Sequence, residues 1–322
     1  MKTAIAFFVY RRPDYTRRVW EEICKAKPPV LLIVADGPRD EQDRVKCDAT
    51  RAIVDLVDWP CDVRRNYSLV NMGCRDRMAS GLDWVFEEVE EAIILEDDCL
   101  PDQSFFTFCD VMLDRYRLDT RVMHIGGNNV GDKKNLNSSG YYFSMLVDVW
   151  GWATWRRAWH YYDLKVSAWP QAREAGLLES VCGSRGERAF WGEAFDRQYR
   201  GASKTWDSSW VFTIWVQHGV AIVPGVNLVS NIGVGADSTH RQDDKWYMNM
   251  PTESLVRIEH LEIMMINTAA DRWTYGQMYK PTLWTRIQET VLNPWAYGAF
   301  IRKMPVVGVW WARWRTWRKS AL

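Results

Sequence analysis

The 322-residue chain has no net charge, since 41 Lys and Arg offset 41 Asp and Glu. Without an overall positive field, nucleic acid is not expected as a partner. No apolar run approaches the ~18 residues of a membrane-crossing helix. The seven cysteines, at 24, 47, 61, 74, 99, 109 and 182, are odd in number and contain no C-x-x-C pair. That scatter argues against a disulfide framework and a cysteine zinc site, and suits thiols kept reduced. The patterns G-x-x-x-x-G-K-[ST], G-x-S-x-G and H-E-x-x-H are all absent, which argues against P-loop, serine-hydrolase and zinc-protease chemistry. The opening "MKTAIAFFVYRRPD" has one Lys and no small-residue cleavage site, so a first strand is expected there and no signal peptide. These absences together predict a cytoplasmic protein.

Tryptophan, by contrast, is abundant, with 20 in the chain. Indoles pack cores, stack on sugars and sit at membrane surfaces. Charge is also unevenly placed. Residues 281–322 hold seven Lys or Arg against the single acid Glu289, a surplus of +6 that leaves −6 for the rest, together with six tryptophans. A basic aromatic helix of this kind either lies on an anionic bilayer, at the inner face of the plasma membrane, or docks on the acidic body.

The first half alternates short apolar runs with amphipathic stretches. Ala4–Val9, Val30–Ala35 and Ala92–Leu95 read as strands covered on both faces. Between them, Tyr15, Val19 and Ile23 fall at helical spacing after Asp14, a candidate cap, and Met78, Leu82, Val85, Phe86 and Val89 share another helical face. "VMHIGG" and "YYFSMLVDVW" read as further strands, and "GWATWRRAW" as helical. The expected class is α/β, a mostly parallel sheet flanked by helices, followed by a helical basic appendage. The expected division is 1–268 (a nucleotide-binding half, 1–125, and an acceptor-side half, 126–268) and a tail, 269–322.

Asp36 and the triplet Glu96–Asp97–Asp98 both fall at carboxyl ends of expected strands, where ligands of such sheets sit. Three adjacent carboxylates repel one another unless water or a cation intervenes. A hard divalent ion, Mn²⁺ or Mg²⁺, takes oxygen ligands and would complete its shell with diphosphate oxygens. Asp98 is the first candidate ligand, with Asp97 and Glu96 orienting it or contacting a ribose. The plain alternative is a solvated strand end.

"FVYRRPDYTRRVWEEI", "ILEDDCLPDQSFF", "GWATWRRAW" and "NLVSNIGVGADSTH" together resemble bacterial GT-A-fold (Rossmann-like) glycosyltransferases related to the N-acetylglucosaminyltransferase I-like inverting enzymes. The resemblance runs from about Thr3 to His240. It implies a nucleotide-diphosphate sugar donor, UDP-sugar favoured, a divalent metal at the acidic triplet, and transfer with inversion to a glycan or lipid-linked glycan, as in surface polysaccharide assembly. By the same resemblance, Asp98 contacts the metal, Arg11 or Arg12 the nucleotide diphosphate or base, and Asp36 the uracil edge. Arg75 and Arg77 fall where a basic or polar residue approaches the nucleotide. His240, after a Gly-rich turn, would return to the metal or diphosphate, although a lone His is more often structural.

Inverting transfer needs a base for the acceptor hydroxyl. Asp207, between Trp206 and Trp210, is the candidate, since desolvation by aromatics raises a carboxylate's pKa. It also suits a helix cap; Asp196 and Glu193 are the reserves. Trp150 and Trp152, around Gly151, are expected to be exposed and to form an acceptor platform. Two other readings remain open at this point: a nucleotidyltransferase, which should carry a Gly-rich basic loop after its first strand where "VYRRPDY" has no glycine, and a non-catalytic glycan- or lipid-binding protein.

Overall fold

Buried apolar runs and helices with one apolar stripe account for the chain's architecture. The computed structural model describes residues 1–131, 140–234 and 245–279. His240 and the stretch 281–322 lie outside them. In chain order the elements are β1 (Ala4–Val9), α1 (Pro13–Ala26), β2 (Val30–Ala35), α2 (Glu41–Val54), β3 (Asp62–Tyr67), α3 (Gly73–Glu88), β4 (Glu91–Glu96), β5 (Cys99–Pro101), α4 (Gln103–Tyr116), β6 (Val122–Gly126) and β7 (Tyr141–Ser144). There follow β8 (Trp152–Trp155), α5 (Arg156–Trp159), α6 (Trp169–Glu174), α7 (Leu177–Val181), α8 (Arg185–Tyr199), α9 (Asp207–Val216), β9 (Val220–Pro224), β10 (Val229–Asn231) and α10 (Thr268–Met278). Contacts divide the chain into Met1–Met278 and Tyr279–Leu322.

Eight strands form one sheet in the order β3-β2-β1-β4-β8-β6-β9-β7. The pairs β1–β2, β1–β4, β2–β3 and β6–β9 are parallel, whereas β8 and β7 run against their neighbours. The sheet is thus mainly parallel and helix-flanked, as GT-A and Rossmann-like sheets are. Every residue of β1 is buried, as a strand covered on both faces requires. In α1, Val19, Trp20 and Ile23 face the core; Pro13 takes the first helical position, where a missing N–H costs nothing, so Asp14 sits in the first turn and does not cap. No described helix is long and apolar enough to cross a membrane.

Two expectations about "GWATWRRAW" are corrected. Trp152–Trp155 is a strand, held antiparallel between β4 and β6 in the middle of the sheet. Trp152 is 0% exposed and cannot face an acceptor. It stacks on His124 and Trp206, with Trp159 and Trp210 also in ring contact. His124 is buried in this cluster: its Nδ1 accepts from Trp210 Nε1–H at 3.1 Å and its Nε2 lies 2.9 Å from the Asp148 carbonyl. That pattern fits a neutral ring, and burial pushes its pKa down to about 3.

Candidate active site

The strand order reverses at β1: β2 and β3 extend from one side of it, β4 lies on the other. In open α/β sheets such a reversal leaves a crevice at the carboxyl ends of the two diverging strands. Here the residues that follow those ends are Tyr10–Arg12 and Asp97–Asp98, because β1 and β4 run parallel with Phe8 beside Glu96. The crevice opens into a cavity of about 710 Å³ that both groups line, together with Trp150, Trp206, Asp207 and Gly233. Ligand pockets of ordinary enzymes fall in this size range, ~300–1,000 Å³.

The triplet is closely held. Arg12 donates to Asp97 and, at 2.8 Å, to Asp98 Oδ2. The Tyr10 backbone N–H donates to Asp97 Oδ2 at 3.2 Å. Burial, and then the charge of Asp98, hold the Glu96 carboxyl well above the usual carboxylate range; Arg12 opposes this, and Asp207 adds to it. Burial also raises Asp97, against the pull of Arg12. One guanidinium against three acids leaves negative charge that is not fully offset inside the fold.

The short antiparallel pair β5–β10 closes one side of the crevice. Ile232 N–H donates to the Asp98 carbonyl at 2.8 Å, and Gly233 N–H to Asn231 Oδ1 at 3.0 Å. Gly233 is needed there for space: a Cβ on it would lie 2.3 Å from Asp98 Oδ2. Asp207, also in the lining, is the first residue of α9, with Trp206 in the cap position; its Oδ1 accepts the Ser208 N–H at 2.9 Å. An acid in a first helical turn is favoured by the helix dipole. Trp150 is half-buried at the rim and touches Tyr247 at 5.8 Å between ring centres.

Asp36 and Arg77 also line the cavity, but their polar atoms are engaged by the chain itself. Asp36 is buried, and both its oxygens are taken by the chain itself: Oδ1 by the N–H groups of Gly37 and Met72, Oδ2 by Gly73 N–H and the Asn71 amide, at 2.8–3.0 Å. Four donors fill a carboxylate's acceptor sites, so this residue fixes the turn into α3 and has none left to read a uracil edge. Asp36→Ala should therefore lower stability by about 3 kcal/mol or more, read as a lower denaturation midpoint in urea. Arg77 is likewise buried and donates to the Ala35 carbonyl at 3.2 Å and to Asn66 Oδ1 at 2.8 Å, joining β2 to β3. Arg75 pairs with Asp76 and the Ser203 carbonyl, and it does not line the cavity. Of the reserves, Asp196 accepts from Trp169 and Arg173, and Glu193 is exposed; neither lines the cavity.

Sequence reasoning missed Asp43. It gathers Arg39, Arg11 (3.3 Å) and the Tyr10 hydroxyl (2.9 Å), and the bond from Arg39 leads the causes that hold its carboxyl far below the usual range. Arg11 and Arg39 also line the cavity. The i,i+4 spacing of Arg39 and Asp43 was the available signal. Cys74, Asn231 and Lys245, also in the lining, carried no signal in the sequence.

No protein-family model and no curated protein matches this chain. Among solved structures, it is similar to S. aureus TarS 1-349 at 11% identity over 70% of this chain and 58% of that one, with a TM-score of 0.40. It is also similar to mouse xyloside xylosyltransferase 1 at 9% identity over 68% of this chain and 83% of that one, with a TM-score of 0.35. A third likeness is to a UDP-glucose pyrophosphorylase, at 10% identity over 68% of this chain and 90% of that one, with a TM-score of 0.36. None reaches the similarity at which chemistry carries from one protein to another.

Among the described residues no group of three or more His, Cys, Asp or Glu converges as a ready-made metal cage. A magnesium- or manganese-type site needs less, since such ions keep waters and take one or two carboxylates plus phosphate oxygens. Asp98 and Glu96, carboxylate oxygen donors that line the cavity beside Asp97, fit that kind of ion. They do not fit zinc, which prefers nitrogen and sulfur.

Proposed function

We propose that this chain is a glycosyltransferase that moves a sugar from a nucleotide-diphosphate donor, UDP-sugar favoured, to a glycan or lipid-linked glycan, with inversion. The observation that carries the reading is the meeting of three groups on one cavity: the basic turn after β1, the acidic end of β4, and Asp207 at the start of α9. The turn between β1 and α1 is only three residues and has no glycine, which favours sugar transfer over nucleotidyl transfer.

In this mechanism Arg11 and Arg39 offer positive charge in the cavity lining for the donor's diphosphate. Asp98, with Glu96, would hold Mn²⁺ or Mg²⁺, which would supply positive charge beside the leaving diphosphate. Asp207 accepts the proton of the acceptor hydroxyl as its oxygen bonds to the anomeric carbon and the bond to the diphosphate breaks. Trp150 presents a ring edge or face to the acceptor at the rim. His240 is retained as a ligand for the ion or the diphosphate, and 281–322 as a contact with anionic lipid that would suit a lipid-linked acceptor.

The test is titration with UDP, TDP, GDP and CDP, each with and without Mn²⁺, beside Asp98→Ala. One nucleotide should bind in the presence of Mn²⁺, and the variant should lose it. Binding that ignores both the ion and Asp98 would overturn the reading.

A further inference from the structure

The side chain of Arg12 is the feature of this site that a diphosphate-binding role leaves unexplained. It is nearly buried, with 12% of the side chain exposed, and it forks across two carboxylates of the triplet at once. The two ends of the fork are not equivalent. Asp97 also lines the cavity, but it is only 3% exposed at its side chain and is also held by the Tyr10 N–H. Asp98 is 15% exposed, lines the cavity, and is the carboxylate that fits a divalent ion. Arginine presents rigid, parallel donors to carboxylates and stays protonated, so it serves as a fixed internal cation. The Tyr15 ring, 5.9 Å from the guanidinium, gives it a second resting surface, and the Tyr15 hydroxyl donates to the Val234 carbonyl on the chain leaving β10.

From this geometry we infer that Arg12 is a built-in counter-ion that occupies Asp98 until a divalent cation and the donor arrive together. The inference rests on the metal-dependent reading of the site given above. Without a ligand, Arg12 satisfies Asp98 and competes with any ion for the same oxygens. As Asp98 turns to a divalent ion, Arg12 keeps its hold on Asp97 and points its freed N–H groups at the phosphate oxygens that come with the ion. Cation alone must displace a guanidinium that then has no anion to meet. Cation with nucleoside diphosphate exchanges one charge-assisted bond for another. The two ligands therefore bind with positive coupling, which linkage makes reciprocal.

The test uses Mn²⁺ as its own probe, since free Mn²⁺ is counted directly by its paramagnetic resonance signal, with and without UDP. Wild-type protein should bind Mn²⁺ weakly alone and more tightly with UDP. Arg12→Gln, which removes the competing charge, should bind Mn²⁺ alone about tenfold or more tightly than wild type, and UDP should enhance that binding far less than in wild type. Arg12→Lys keeps the charge but not the fork and should fall between the two. A thermal melt and near-ultraviolet dichroism establish that each variant is folded; if Arg12→Gln is not, Arg12→Lys decides alone, by a rise in affinity for Mn²⁺ without nucleotide. Unchanged or weaker binding of Mn²⁺ alone by the folded variants would overturn the counter-ion role. If wild type binds no UDP even with Mn²⁺, the underlying reading of the site fails instead, and the two failures are distinguishable.

Discussion

Asp207→Asn is expected to lower sugar transfer by ~10²–10⁴-fold, the usual contribution of a positioned base, while metal-dependent nucleotide binding stays as in wild type. The substitution keeps size and shape, and an Asn oxygen can still accept the Ser208 N–H that Asp207 Oδ1 accepts at 2.9 Å. The helix start is therefore preserved, since the cap position belongs to Trp206. What is removed is the ability to take a proton at this point of the cavity lining. Asp207 belongs to a different element from the metal-side acids, so donor binding and proton removal should separate cleanly. Isothermal titration with the nucleotide and ion, beside a transfer assay, would check this. If activity and affinity fell together, Asp207 would be supporting the pocket and acting on no proton; if neither changed, the base would lie elsewhere.

Gly233→Ala, one methyl group, should weaken metal-dependent nucleotide binding by about tenfold or more, through a 1–3 kcal/mol overpacking effect at Asp98. Gly233 lies on the chain that leaves β10, and a Cβ there would meet Asp98 Oδ2 at 2.3 Å and Asp98 Cβ at 3.0 Å. A carboxylate on so short a side chain has little room to retreat, because Arg12 holds that same oxygen, Oδ2, and the neighbouring Cys99 is fully buried. Either Asp98 rotates away from the cavity or the segment lifts, breaking the bond from Ile232 N–H to the Asp98 carbonyl. Both outcomes move the ligand without altering any charge. The thermal midpoint should change little, since the segment lies at the cavity and outside the central sheet. Affinity equal to wild type would show that Asp98 can serve from another position.

Much of this protein can be read from the order of its residues alone. Ala4–Val9, Val30–Ala35 and Ala92–Leu95 announce buried strands because a strand covered on both faces must be apolar throughout. An acidic triplet placed directly after such a run marks a strand's carboxyl end, and the parallel arrangement brings it beside the turn after β1. Asp207, an acid between tryptophans at the start of an apolar helix, could be singled out in the same way.

Other features were decided only by the tertiary structure. "GWATW" has an aromatic pattern that suits helix and strand equally; being paired on both sides, by β4 and β6, makes it a central strand and buries Trp152. Asp36 looked available for a ligand, yet its carboxylate is filled by N–H groups that include those of residues 71–73, which the β2–β3 crossover brings back to it. The sequence offered Arg12 as a diphosphate contact but not its hold on Asp97 and Asp98, which lie 85 and 86 residues along the chain. The physical reason is common to all three. Local sequence fixes propensity and which face is apolar, whereas the pairing of distant segments decides which strand is central and which donor reaches which carboxylate.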